Sequence, residues 1–239
     1  MPFTAVAWLG LIPALVVGGI LAPWTTLAGL TLLRRLFPAS EPGRFQMFTD
    51  AGSVRWAIQS WAPSVYLALF QPLFFQSSGF ARLALRALGA RLGSGAQVTS
   101  RTVIREPHHV GIGRDSIIGE FAHLVCSYQP SPGRLIVGRI EIGDGVLVGA
   151  YGLVAPGARI GSRCRLEYQV GIGAGAIVGE DTRIGAGTIV FNFARVGDRV
   201  VIGKRCTIPA GAVVPSDTVV PDGTCFGSEL AAPEHAGAV

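Results

Sequence analysis

Residues 172–190 read IGAGAIVGEDTRIGAGTIV, and a branched aliphatic returns at every sixth place: Ile172, Val178, Ile184, Val190. Followed outward in both directions, the same column runs from Ile112 to Phe226, and eighteen of its twenty positions are Ile, Leu or Val. Glycine follows eleven of them, from Gly113 to Gly227, while Pro209, Pro215 and Pro221 follow three in succession. Four places after each comes a small or β-branched residue, such as Ala158, Cys164, Val170, Ala176, Thr182 or Thr188. Upstream, Leu92, Val98, Ile104 and Val110 keep the period with a two-residue offset. A period of six is neither the 3.6 of a helix nor the 2 of a plain strand. It fits short strands joined by equal turns, with one aliphatic pointing inward per strand and glycine where a turn needs unusual backbone angles. Three such sides close an eighteen-residue triangular coil, and Leu92 to Phe226 gives room for about seven stacked coils. Gly171-Ile-Gly-Ala-Gly175 has no βαβ alternation around it, so its glycines belong to the repeat and not to a dinucleotide loop.

This repeat resembles that of the bacterial hexapeptide-repeat transferases. The resemblance implies an all-β fold, a left-handed parallel β-helix over 92–228, and a homotrimer. Composition agrees with an ordered chain: 49% of the 239 residues are hydrophobic and 15% are charged, the reverse of a disordered balance. Four scattered cysteines with no C-x-x-C pair argue against a disulfide scaffold or a zinc site. The small net charge of +5 and the lack of a Lys/Arg run argue against a nucleic-acid partner.

Residues 1–33 contain no Asp, Glu, Lys, Arg or His. Segment 1–35 is therefore expected to enter a membrane, as one kinked span or as a re-entrant hairpin broken at Pro13 and Pro23. No basic residue precedes the apolar stretch, which argues against a secretory signal. Arg34 and Arg35 close it and place the remainder of the chain on the cytoplasmic side of the inner membrane. Region 36–91 reads as membrane-proximal, helical, aromatic and basic. Within it the uncharged stretch Trp56–Ala81, interrupted by Pro63 and Pro72, reads as an interfacial or re-entrant segment. Residues 229–239 read as a flexible tail.

Next along the chain is a basic belt: Arg82, Arg86, Arg91, Arg101 and Arg105, with no acid among them. It reads as a collar for lipid headgroups, or its members Arg86, Arg91, Arg101 and Arg105 as a phosphate clamp for a nucleotide-bearing donor such as coenzyme A. The repeat is decorated in one place, Cys126-Ser-Tyr-Gln-Pro-Ser-Pro-Gly-Arg134, a loop able to cover a cleft. His123 stands directly before it, next to an inward aliphatic and so pointing outward. A neutral imidazole there would take the proton from an acceptor hydroxyl or amine as it attacks a thioester. His108 and His109 compete for that role, and Cys126 is a lesser candidate as an acyl-accepting thiol. Cys164, Cys206 and Cys225 read as packing thiols. Only these two neighbouring histidines and His123 lie near the ladder, too few convergent ligands for a catalytic metal.

A second resemblance covers roughly residues 10–228. Arg34-Arg-Leu-Phe37, Pro42-Gly-Arg-Phe-Gln-Met-Phe-Thr49, Val54-Arg-Trp56 and Arg86-Ala-Leu-Gly-Ala-Arg-Leu-Gly93 look like the membrane-embedded terminal region of nonribosomal peptide synthetases of the poly-lysine type and its stand-alone relatives. Glu106-Pro107, His123-Leu124, Ile142-Gly-Asp-Gly-Val-Leu-Val-Gly149 and Pro221-Asp-Gly-Thr-Cys-Phe-Gly-Ser228 continue the match. An acid commonly follows the His-Leu pair in that group, whereas Val125 follows here, so Glu106 or Glu120 would have to assist His123. Together the resemblances imply a membrane-associated acyltransferase with no bound cofactor. It would move an acyl or aminoacyl group from acyl-CoA or a carrier-protein thioester to a hydroxyl or amine. Rival readings are a peptide-bond-forming partner of a synthetase acting in trans, and a non-catalytic trimeric scaffold.

Overall fold

The computed structural model describes residues 3–37, 40–74 and 77–227. From Arg91 onward the chain winds into a parallel β-solenoid of seven coils. Seven strands make the first face, from Arg91–Leu92 to Val213–Val214, and seven the second, from Gln97–Val98 to Val219–Val220. Six make the third, from Val103–Ile104 to Thr207–Ile208. Most strands show two residues, an outward one and a buried one. In the regular coils partners lie one coil apart, as in Ile142↔Ile160 and Ile160↔Val178. The inward column holds Ile118, Leu124, Val148, Ile184 and Ile208, all at 0% exposure. Burying each such side chain contributes about 1.5–3 kcal/mol.

Two irregularities interrupt the ladder. Leu92 pairs with Ile112, twenty positions on, because a 3-10 turn, Pro107–His109, is inserted between the first and second coils. That turn is the source of the two-residue offset in the sequence. Ile112 pairs with Ile142, thirty positions on instead of eighteen, an excess of twelve. The extra residues form a hairpin, Ser127–Ser131 with Arg134–Val137. Pro130 and Ile136 therefore leave the inward column to which the count in sixes assigned them. Twelve is two repeats, so that count passes over the hairpin without slipping.

Before the solenoid come α1 (Phe3–Leu36), α2 (Ala51–Phe74) and α3 (Ser78–Ala87). Of the two forms expected for the first apolar run, one kinked span or a hairpin broken at Pro13 and Pro23, the hairpin is absent: α1 is continuous through both prolines. α2 likewise runs unbroken through Pro63 and Pro72, so of the interfacial or re-entrant segment expected there the re-entrant form is not what the chain adopts. A proline inside a helix removes one hydrogen bond and crowds the carbonyl four residues back, which a bend can absorb. Gly19 occupies that place before Pro23, and a Cβ on it would meet nothing within 4 Å. Val16–Leu36, 21 residues, is long and apolar enough to cross a membrane by length and composition.

α2 and α3 close the open end of the solenoid, where a bare first coil would expose its core. Tyr66, Leu67, Leu85 and Leu88 share one buried cluster with Leu92, Val98 and Ile104. Hydrogen bonds fasten the cap: Gln71 Nε2 donates to the Thr102 carbonyl, Ser64 Oγ to the Arg105 carbonyl and Arg86 to the Leu92 carbonyl. The strand Gly43–Gln46, between α1 and α2, pairs antiparallel with Arg134–Val137 and so stitches the helices to the hairpin. The tail expected over 229–239 lies outside the described residues.

Candidate active site

Where the third face of the first coil hands over to the inserted turn, Glu106 folds its side chain inward beneath the hairpin. It is 1% exposed. Oε1 accepts a hydrogen bond from Ser127 Oγ at 2.6 Å, while Oε2 has no partner. Burial pushes the carboxyl above the usual carboxylate range. The Ser127 hydroxyl, the Arg105 charge, the Cys126 backbone N–H and the Trp56 indole pull it part of the way back. The indole is thus near enough to favour the ionised form, but Nε1 makes no hydrogen bond of ordinary geometry.

Glu106 closes one end of a cleft of about 460 Å³ between α2 and the first coil, lined by Phe48, Trp56, Ala57, Ile58, Ser60, Trp61, Ser64 and Arg105. Trp56 and Ser60 are one helical turn apart on α2 and so present to the same side. Trp56 Nε1 and Ser60 Oγ are buried without a partner, as is Glu106 Oε2. Three unmet polar groups on one apolar cleft are unusual, because each orphaned polar atom costs about 1–3 kcal/mol. An indole donor, a hydroxyl and a carboxyl of raised pKa can bind a hydroxyl or amine and move its proton.

His123 lies elsewhere. It projects from the third face between Val103 and Leu153, exposed, with no side-chain hydrogen bond among the described residues. The outward positions of that face are Val103, His123, Leu153, Gly171, Ile189 and Thr207, with no Asp, Glu, Lys or Arg among them. Glu120 is exposed on the neighbouring corner, where its carbonyl accepts the Tyr151 N–H at 2.9 Å. On that corner Phe121 stacks on Tyr151 at 4.9 Å between centroids, and Arg101 sits 5.2 Å from the Phe121 centroid.

The four arginines expected to form a clamp serve separate partners. Arg86 holds the carbonyls of Leu92 and Gly93, Arg91 pairs with Glu141 on the first face, and Arg101 covers Phe121. Arg105 alone lines the cleft with Glu106. His108 and His109 sit at the joint between helices and solenoid, their Nε2 atoms 2.9 and 3.0 Å from Ser40 Oγ. A single hydroxyl can donate to one ring and accept from the other, so Ser40 Oγ can serve both rings at once. Burial lowers their pKa values to about 3 and about 4, with nearby Arg139 adding to both and His109 and Arg34 to His108. Both rings stay neutral at pH 7 and hold the loop in place.

Cys126 is 0% exposed, and burial pushes its thiol well above the usual value, so it is a packing residue and not an acyl acceptor. Cys164 and Cys206 are buried and donate to the carbonyls of Gly179 and Pro221 at 2.8 and 3.0 Å, whereas Cys225 is exposed instead of packed. Among the described residues no group of three His, Cys, Asp or Glu is placed to hold a metal. Sequence reasoning named Glu106 but missed Ser60 and the role of Trp56 and Trp61. The spacing Trp56-x-x-x-Ser60 was the available signal.

Residues 181–216 match the family model of the bacterial transferase hexapeptide (six repeats). No curated protein matches the chain. Similar solved structures include perosamine N-acetyltransferase of Caulobacter crescentus, in complex with CoA and GDP-perosamine. It is 19% identical at a TM-score of 0.38, over 62% of this chain and 60% of that one. The N-acyltransferase AntD of Bacillus cereus, in complex with dTDP and 3-hydroxybutyryl-CoA, is 16% identical at a TM-score of 0.46, over 56% and 80%. The acetyltransferase domain of PglB from Neisseria gonorrhoeae is 20% identical at 0.41, over 58% and 62%. The chain thus spans about three fifths of the perosamine enzyme's length.

Proposed function

We propose that this protein is a membrane-associated acyltransferase of the hexapeptide-repeat kind, which moves an acyl or aminoacyl group from a thioester to a hydroxyl or amine. The observation that carries this reading is the buried Glu106 opening into a cleft with two further unmet polar groups, Trp56 Nε1 and Ser60 Oγ. Ionised Glu106 takes the proton of the acceptor hydroxyl or amine as that atom attacks the thioester carbonyl. The indole N–H and the Ser60 hydroxyl face the charge that develops on the carbonyl oxygen. When the tetrahedral intermediate collapses, the C–S bond breaks, and protonated Glu106 returns its proton to the departing thiolate. A carboxyl raised toward the working pH suits both steps.

The donor in this reading is acyl-CoA or a carrier-protein thioester. The latter would suit a stand-alone relative of the peptide synthetase terminal regions. α1 anchors the chain in the inner membrane with the solenoid, left-handed and trimeric, on the cytoplasmic side. A second reading keeps His123 as the base, in a cleft between subunits. It is favoured by the third face, where His123 stands among outward positions with no Asp, Glu, Lys or Arg in the described strands.

Thiol release from a panel of acyl-CoAs and carrier-protein thioesters, by detergent-purified protein with membrane extract as acceptor, tests both. Loss of about 10²–10⁴-fold in Glu106→Gln with His123→Ala near wild type supports the first reading. The reverse pattern supports the second. No release from any thioester, with the oligomer intact, would leave a scaffold.

A further inference from the structure

Among the described side chains of α2, the large apolar residues it exposes lie on one stripe: Val54, Ile58, Trp61, Val65 and Leu69. Spacings of four, three, four and four residues confine them to a single side of the helix. Trp61 is 73% exposed and Leu69 61%, a heavy loss of burial for a helix whose opposite side packs Ser53, Tyr66 and Leu67 into the protein. The stripe carries no charge, and the sequence from Trp56 to Ala81 has none at all.

The cleft opens onto that stripe. Ile58 and Trp61 belong both to the stripe and to the cleft wall, and Phe48, also 73% exposed, stands at the same mouth. Beside it α1 ends in the exposed Leu32 and Leu36, at the end of the segment long enough to cross a bilayer, with the exposed Phe37 directly after it. An apolar stripe of this kind, next to a membrane-length helix, matches a lipid leaflet. The cleft floor asks for the opposite chemistry: Trp56 Nε1, Ser60 Oγ and Glu106 Oε2 call for a polar head with both donor and acceptor capacity.

We infer that the cleft draws its hydroxyl- or amine-bearing substrate from the leaflet on which α2 lies, as an amphiphile. Its polar head passes Trp61 and Phe48 to reach Glu106, and its chain stays along the stripe. This inference rests on the acyl-transfer reading for the role of the head group, but its test does not need turnover.

The full chain is reconstituted into phosphatidylcholine vesicles brominated on their acyl chains, in two versions. One keeps Trp61 as its sole tryptophan (Trp8→Phe, Trp24→Phe, Trp56→Phe), and the other keeps Trp56 (Trp8→Phe, Trp24→Phe, Trp61→Phe). The expected result is loss of most Trp61 emission against unbrominated vesicles, with Trp56 shielded. In plain vesicles dodecylamine should shift Trp56 emission, while ethanolamine at the same concentration should not. Unquenched Trp61, as when a second copy covers the stripe, overturns the inference. An equal Trp56 response to the short and long amines also overturns it. Quenching and dodecylamine binding without thiol release would instead sink the acyl-transfer reading and leave the amphiphile site standing.

Discussion

Glu106→Gln isolates the consequence of burying one carboxyl. The amide keeps a carbonyl oxygen where Ser127 Oγ donates, so the hydrogen bond across to the hairpin survives while the titrating proton is gone. In the wild type, burial raises the carboxyl above its ordinary value of 4.5. Between the unfolded and the folded values the native state therefore binds more protons than the unfolded chain. The stability this group contributes is complete below the unfolded value and is lost as pH rises through the folded one. Within that window the loss approaches about 1.4 kcal/mol per pH unit for a single group. For a chain of this size that is roughly 3–5 °C of Tm per unit. Thermal unfolding of both proteins in one detergent, from pH 4 to 8, reads the difference directly. Above the unfolded value the wild type should lose ground to Glu106→Gln until the folded carboxyl is fully ionised, after which the gap should stay constant. Parallel Tm curves over the whole range would refute a buried carboxyl of raised pKa and, with it, the fitness of Glu106 as an acid–base group.

The histidine pair titrates with the opposite sign. Since His108 and His109 are lowered to about 3 and about 4, stability present above the ordinary value of 6.5 should drain away as pH falls toward 4, and NMR should find both rings neutral at pH 6. Gly161→Ala should cost about 1–3 kcal/mol, because its Cβ would sit 2.7 Å from the carbonyl carbon of Gly179 in the next coil. Gly211→Ala should cost about 1–2 kcal/mol through its φ of +72° alone, with no atom within 4 Å of the new methyl; chemical denaturation measures both. A maleimide should label exposed Cys225 in the folded protein and spare Cys126, Cys164 and Cys206 until unfolding, as mass spectrometry of the adducts would show.

The solenoid was legible because its period is local: each coil repeats the same inward aliphatic, and no long-range knowledge is needed to count it. The hairpin was legible only as a loop at 126–134; its second strand was not, since Ile136 fell on the column by the accident of a twelve-residue insertion. Gly43–Gln46 was missed for a different reason. Its partner lies some ninety residues on, and the strand has no meaning until Arg134–Val137 is beside it. Prolines gave no guide to α2, where Pro63 and Pro72 sit in a helix that packs on the solenoid and stays continuous. The candidate site shows the same divide. Glu106 stood out as an acid at an irregular turn, but the cleft exists only because α2 docks on the first coil and brings Trp56 and Ser60 to it.

Since every coil after the third touches only its neighbours, the solenoid also acts as a pillar of adjustable height. Coils spaced about 4.8 Å apart carry the last turn roughly 30 Å from the capped end. Deleting one regular coil, for example residues 177–194, would lower the far end by about 5 Å while leaving Ser127, Trp56, Ser60 and every contact of Glu106 as they are. Whatever meets the far end can thus be moved toward or away from the cleft in fixed steps, without a change in the cleft itself.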